Sequence, residues 1–416
     1  MAKVSWLCRV ALVILSFTPS VVRADDSTQP VRVLFIGNSY TYFNNLPVLL
    51  EKLAASAPNA RPVKATMFVE GGATLHRLWD QKKAIGLIQK EHWDYVVLQE
   101  QSSLGYTYLV DGVTKVTDFS DFHKYARLFD KAIKEAGAKT VFYSTWARKD
   151  AAQQDQAMLD YAYITIAKEL HALVVPVGIA WQAVRRSDPK VELYYQDGSH
   201  PSPIGSYLAA CCCLGTMLNQ SPVGLTSEIS GPAIAMNGTQ KGKQDQQLCK
   251  LDDSTAKLVQ SKAWDACTLV QKAGGYPDIA KPPAPELPTP PEGDAIKPED
   301  LEGHWVGTTK LYPRFFLPQS AAWPAKMELT CKRNSDKWEM ELSVTLGANM
   351  PKGAQKVSDI VVSDRSLSFV DHQRGLNGGF PTYRAVIKDK KMIGIAEIKS
   401  KNSPLFAIGG WELHKE

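Results

Sequence analysis

The chain has 416 residues, 44% of them hydrophobic and 22% charged, with a formal net charge of +5. That length exceeds one ordinary core and predicts two globular units, while a positive charge so small and dispersed excludes a nucleic-acid surface of the basic-tract kind. No Gly-x-x-x-x-Gly-Lys-Ser/Thr loop, no Gly-x-Gly-x-x-Gly after the first strand and no His-Glu-x-x-His helix occurs, so no metal or nucleotide cofactor is implied.

At the N-terminus, Lys3 and Arg9 precede the apolar run Ala11 to Phe17, and Val22-Arg23-Ala24 offers small residues for cleavage. This predicts a signal peptide over 1–24, a mature chain starting near Asp25 and a secreted or periplasmic protein. The run falls short of the roughly 20 residues a spanning helix needs, so no stable membrane span is expected after cleavage. Cys8 lies before the run, which argues against a lipid-modified N-terminus.

From 25 to 275 the pattern alternates. Strands are predicted over Val31 to Ile36, Val63 to Val69, Tyr95 to Leu98, Thr140 to Ser144 and Leu173 to Pro176. Helices fall between and after them, over Leu46 to Ser56, Leu75 to Lys90, Phe122 to Ala136, Gln153 to His171, a stretch opening at Pro203 to Gly205, and Ser254 to Lys272. Strands separated by helices mean a parallel sheet covered on both faces. Polar Gly231 to Gln247 reads as a surface excursion, and proline-rich 276–300 as an extended spacer.

Over 301–416 the hydrophobic period changes from helical to alternating, which predicts a small antiparallel β-barrel or β-sandwich with hairpins at Asn334-Ser335-Asp336 and Asp389-Lys390-Lys391. Its Trp305 and Trp411 fit core plugs ahead of sugar platforms. Of seven cysteines, Cys211, Cys212 and Cys213 fall in an apolar helix and read as small buried hydrophobes, whereas Cys249 and Cys267 are the pair to test for a disulfide.

Two distant segments carry chemistry: Gly37-Asn38-Ser39 directly after the first strand, and Asp197-Gly198-Ser199-His200 near the end of the same unit. An acid and a base three residues apart sit on one face of a turn, so Asp197 can orient the His200 imidazole while the other ring nitrogen serves a nucleophile. Ser39, at the end of a buried parallel strand, is that nucleophile. Its own amide, at the start of a helix, is a first donor for an oxyanion. No Gly-x-Ser-x-Gly elbow surrounds any serine, which argues against an ordinary α/β-hydrolase.

The blocks FIGNSYTYFNNLP from Phe35 to Pro47 and DGSHPSPIGSYLAA from Asp197 to Ala210 resemble the first and last signature blocks of the SGNH (GDSL-like) hydrolase superfamily, a resemblance spanning roughly Val31 to Lys272. It implies a flavodoxin-like three-layer α/β/α sandwich and esterase activity through Ser39, Asp197 and His200. It also implies an oxyanion hole completed by Gly72. The family's Gly-x-Asn-Asp block is missing; the third strand runs instead into Gln99-Glu100-Gln101, so Gln99, with Gln101 close behind, is expected to supply the third donor.

The expected substrate is an ester, with an acetylated polysaccharide foremost. The alternatives are a lipase or thioesterase with the same triad, or an inactive SGNH-fold protein that binds carbohydrate. Glu70, Glu100, His76, Trp146 and Trp181 are expected near the cleft without assigned roles.

Overall fold

The computed structural model describes residues 29–149, 151, 153–235, 237–272, 274, 276–311, 325–345, 353–374, 378–400 and 405–416. The leader expected over 1–24 lies outside the described residues. No helix among the described residues is long and apolar enough to cross a membrane.

The chain opens with β1 (Val31–Gly37), α1 (Ser39–Tyr42), a 3-10 turn over Phe43–Asn45, and α2 (Leu46–Ser56). It continues through β2 (Val63–Val69), α3 (Leu75–Asp80), α4 (Lys83–Lys90) and β3 (Tyr95–Leu98). The single helix expected over Leu75 to Lys90 is thus two, because Lys82 adopts a left-handed φ of 60° that no helix interior tolerates.

After β3 comes a hairpin the periodicity did not reveal, β4 (Thr107–Val110) and β5 (Val113–Lys115). It is followed by α5 (Ser120–Glu135), β6 (Lys139–Tyr143), α6 (Gln153–Leu170) and β7 (Leu173–Val175). Helix α7 (Val177–Ser187) was also missed, although Val177, Ala180, Trp181 and Val184 form a buried helical stripe. Then follow α8 (Pro203–Leu218), β8 (Glu228–Ile234), β9 (Gln240–Lys250) and α9 (Asp253–Lys272). The expected surface excursion is therefore the antiparallel β8–β9 hairpin.

Strands β1, β2, β3, β6 and β7 form one parallel sheet in the order β2-β1-β3-β6-β7. Helices α2, α7, α8 and α9 bury one face of it, and α3 to α6 the other, giving the three-layer α/β/α sandwich. Val33, Leu34, Phe35 and Ile36 of β1 are wholly buried, as a strand covered on both faces must be. Each such side chain contributes about 1.5–3 kcal/mol by leaving water. The order reverses direction at β1 and β3, so their carboxyl ends frame the crevice where doubly wound sheets place their sites.

The last 119 residues begin with α10 (Pro298–Leu301) and β10 (Gly303–Thr309). They continue through β11 (Ala325–Asn334), β12 (Lys337–Thr345), β13 (Gln355–Lys356), β14 (Ser358–Val362) and β15 (Leu367–Val370). The chain ends with β16 (Thr382–Lys388), β17 (Lys391–Lys399) and β18 (Leu405–Lys415). Successive strands pair from β10 to β13 and from β14 to β18, and β10 pairs with β18. Strand β13 pairs with β12, while β14, one residue later, pairs with β15, so the meander closes into a barrel. Trp305 and Trp411 are plugs in its core.

Two findings change the expected domain picture. Strand β4 pairs in parallel with Leu405 to Ile408 of β18, and Asp111 Oδ1 accepts from the Gly410 amide at 2.7 Å, so a loop of the α/β unit covers an edge of the barrel sheet. The proline-rich spacer is also pinned at both ends: Tyr276 donates its hydroxyl to Ala172 O, and the Asp294 amide donates to Ile387 O.

The disulfide candidate is corrected. Cys249 and Cys267 are both free, buried in the same core as Cys211, Cys212 and Cys213. Cys267 instead donates to Cys212 O and contacts Thr216 Oγ1.

Candidate active site

Strand β1 ends at Gly37, and Asn38 caps α1 by accepting from the Tyr40 amide at 3.1 Å, which leaves Ser39 as the first helical residue. An amide in that position has no acceptor inside its own helix. The chain then turns sharply through Asn44 and Asn45, both left-handed, a conformation asparagine tolerates better than most residues. Asn44 Nδ2 donates to Ser206 Oγ at 2.9 Å, tying the Ser39 segment to α8.

The Asp197–His200 turn precedes α8. Asp197 Oδ1 accepts the Ser199 and His200 amides, both at 2.9 Å, while Oδ2 meets His200 Nδ1 at 2.5 Å. His200 Nε2 lies 2.8 Å from Ser39 Oγ. With Nδ1 protonated toward the carboxylate, Nε2 accepts the serine hydroxyl. Partial burial works to raise the Asp197 pKa, but the His200 ring and the two amides outweigh it and hold the carboxyl below its ordinary value. Residues 161 positions apart are thereby joined in one hydrogen-bonded chain.

Aromatic side chains hold this chain in place: Phe43 and Tyr40, which sequence reasoning left out, and Trp146 and Trp181, which it expected near the cleft without a role. Phe43 stacks on the His200 ring with centroids 4.2 Å apart and planes within 13°. Tyr40 contacts Ser199 Oγ through its hydroxyl at 2.7 Å, and Trp146 donates its indole N–H to Ser199 O at 3.0 Å. Tyr40, Trp146 and Trp181 form a continuous stack, with centroid spacings of 4.6 and 3.9 Å. The β8–β9 hairpin reaches the same region: Asn45 donates to Pro232 O at 2.7 Å, and Gly238 packs against the Tyr42 ring.

Gly72 lies exposed at the start of the turn after β2, with a left-handed φ of 66° and open space where a Cβ would be. Gln99 is placed differently from expectation. It is wholly buried; its Oε1 accepts from the Asn38 amide and Thr41 Oγ1, and its Nε2 donates to Asn38 Oδ1 and Glu100 O. With both amide protons engaged, it braces the loop that carries Ser39 and has no free donor for an oxyanion. Gln101 turns back on its own loop, accepting from Ser103 N and Oγ and donating to Ser102 Oγ. Sequence placed both glutamines correctly after β3 but could not see which acceptors they would meet.

Of the residues left unassigned, Glu100 is buried and accepts the Leu75 amide at the start of α3. Glu70 pairs with Arg77, and His76 with Asp121 and Asp80. None of the three joins the hydrogen-bonded chain. Among the described residues no cluster of three His, Cys, Asp or Glu side chains is arranged to hold a metal ion.

The three-layer sandwich with strand order β2-β1-β3-β6-β7, the serine block after β1 and the Asp-x-x-His turn before α8 match the arrangement that the resemblance of the two sequence blocks implied. The barrel has no assigned type. No protein-family model matches the chain, and no curated protein matches it significantly.

Solved structures similar to it include a candidate SGNH hydrolase from Slackia heliotrinireducens, 28% identical over 45% of this chain and 100% of that one, with a TM-score of 0.37. A DUF4886 family protein from Bacteroides uniformis is 16% identical over 61% of this chain and 98% of that one, at 0.41. An acetylxylan esterase from Geobacillus stearothermophilus is 13% identical over 45% and 94%, at 0.34.

Proposed function

We propose that the protein is an exported serine esterase that removes acyl groups, with acetyl groups on a carbohydrate as its substrate class. The observation that carries the reading is the hydrogen-bonded sequence Ser39 Oγ, His200 Nε2, His200 Nδ1 and Asp197 Oδ2. A serine hydroxyl is a poor nucleophile near neutral pH, and a base within hydrogen-bond reach remedies this.

In this mechanism Ser39 Oγ attacks the acyl carbon as His200 Nε2 takes its proton, and Asp197 stabilises the imidazolium. The Ser39 and Gly72 amides receive the developing oxyanion. His200 then gives its proton to the departing alcohol. A water molecule, deprotonated by the same nitrogen, attacks the acyl-enzyme and frees the acid and Ser39. The choice of acetyl and carbohydrate follows the resemblance of the two sequence blocks, and export follows the composition of 1–24.

The test compares acid release from short and long acyl esters and from acetylated polysaccharides by the mature protein and by Ser39→Ala. Turnover of acetyl substrates that the variant lacks upholds the reading. A rate that climbs with acyl length makes the protein a lipase or thioesterase, and equal turnover by both proteins removes Ser39 from the chemistry.

A further inference from the structure

The alcohol half of an ester has to pass His200, because the proton that Nε2 takes from Ser39 is the one it returns to the departing oxygen. Whatever flanks the imidazole therefore meets that alcohol. Asp197 fills the Nδ1 side, and the buried Tyr40 ring stands edge-on to the imidazole with centroids 5.6 Å apart. Phe43, partly buried, stacks on the imidazole, and Tyr195 meets Phe43 at 6.1 Å with the planes at 74°. The rings of His200, Phe43 and Tyr195 thus lead from the base to solvent, where Tyr195 is 41% exposed.

Backbone bonds fix where that outer ring stands. An antiparallel bridge between Tyr194 and Pro201 closes the loop that carries Asp197 and His200. The Tyr195 amide donates to His200 O at 2.7 Å, and the Gly198 amide donates to Tyr195 O at 3.0 Å. Tyr195 is thereby tied across the loop to His200 itself. Its side chain belongs to none of the hydrophobic clusters, and Phe43 is the one aromatic ring it meets among the described residues. The core does not need this ring, and its position is set before any ligand arrives, so little ordering cost attaches to a contact with it.

Its surroundings narrow what it can receive. Among the exposed large apolar side chains of the described residues, Tyr195 alone lies in the 194–201 loop, and the next two residues, Gln196 and Asp197, are exposed and polar. A fatty alcohol needs a continuous apolar trough, which one ring does not supply. A flat ring bordered by polar side chains fits a partner built the same way: a pyranose, whose C–H face is apolar and whose hydroxyl rim is wet.

We infer that Tyr195 is the platform on which a pyranose ring in the alcohol half of the ester stacks, and that it sets a preference for sugar esters over esters of small alcohols. The inference rests on the esterase reading for the orientation of the substrate, and on the succession His200, Phe43, Tyr195 for the contact. A platform of this kind acts on binding, and so appears in KM ahead of kcat.

The test measures kcat and KM on acetylated xylo-oligosaccharide, acetylated methyl glucoside and ethyl acetate, for the full chain and for Tyr195→Ala and Tyr195→Phe. In Tyr195→Ala the ratio of kcat/KM on a sugar acetate to that on ethyl acetate is expected to fall about tenfold, mainly through KM. Tyr195→Phe keeps the ring and is expected to restore the ratio. A ratio unchanged on both sugar acetates overturns the inference. An equal loss of kcat on all three esters also overturns it, by making the side chain a support of the Asp197–His200 turn.

Should the parent protein turn over none of the three esters, saturation-transfer NMR decides the matter without turnover. The probes are xylo-oligosaccharide and methyl glucoside without acetyl groups, added to Ser39→Ala and to the same protein carrying Tyr195→Ala as well. Transfer to a sugar in the first protein and not in the second leaves the platform standing while the esterase reading falls. Equal transfer in both, or none in either, overturns the platform too.

Discussion

Gln99 and Asn38 clasp each other through two hydrogen bonds: the Asn38 amide donates to Gln99 Oε1 at 2.9 Å, and Gln99 Nε2 returns to Asn38 Oδ1 at 3.0 Å. The clasp links the end of β3 to the residue that caps α1, the helix that begins at Ser39. Gly37 permits it, since a Cβ there would sit 2.6 Å from Gln99 Oε1. Gln99→Ala leaves the Asn38 amide and the Thr41 hydroxyl without their acceptor inside the core, a loss of about 3 kcal/mol. Urea unfolding should show that loss together with reduced ester turnover, and Gly37→Ala should weaken both as well. A Gln99→Ala protein of unchanged stability but lowered kcat would restore the glutamine as an oxyanion donor.

Asp197 has two separable duties, because one oxygen holds the turn through backbone amides and the other faces His200. Asp197→Asn can keep its side-chain oxygen on the amides while losing the charge that fixes the imidazole tautomer. Turnover is expected to fall about 10³-fold to 10⁴-fold, with the melting temperature little changed. Steady-state kinetics showing less than about a tenfold loss would remove Asp197 from the orientation of the imidazole.

Glu100 supplies a pH signature. Burial pushes its carboxyl up to about 8, against the opposing pull of the Gln101 and Leu75 amides. An acid with its pKa raised in the fold keeps its proton when folded and releases it on unfolding between the ordinary 4.5 and about 8. Its contribution to stability is therefore greatest at the acid end of that window and diminishes as pH rises through it. Melting temperatures across the window should decline less steeply with pH for Glu100→Gln than for the parent protein. Parallel curves would assign the decline to other groups.

The six cysteines from Cys211 to Cys331 are free and buried. Burial pushes the Cys249 thiol up to about 12, so it is neither ionised nor reachable near neutral pH. A thiol reagent added to the native protein should label none of the six, and denaturant should expose all of them. A reductant should leave the melting temperature unchanged. Rapid labelling of one cysteine in native buffer would contradict this packing.

The alternation of strands and helices, and the later change to a period of two, were legible because burial imposes those periods on the residues themselves. Val31 to Ile36 could be read as a doubly covered strand, and Leu405 to Leu413 as one wall of a β unit. What the sequence concealed was short or polar. Helix α7 begins at Pro176-Val177-Gly178, which resembles a turn, and the β8–β9 hairpin has few apolar residues to betray it. Strand β4 pairs with residues nearly 300 positions away, so its partner could not be inferred locally.

The nature of the groups in the proposed triad was set by the sequence alone: a serine at the end of a buried strand, and an acid and base spaced for one turn. Those facts depend on residue type and local geometry. Whether Ser39 meets His200 across 161 positions, whether the Gln99 amide faces a substrate or its own loop, and whether Cys249 meets Cys267 were decided only by tertiary structure. A hydrogen bond or a disulfide needs its atoms within a few tenths of an ångström of a set distance. Only the packing of layers from distant parts of the chain fixes positions that closely.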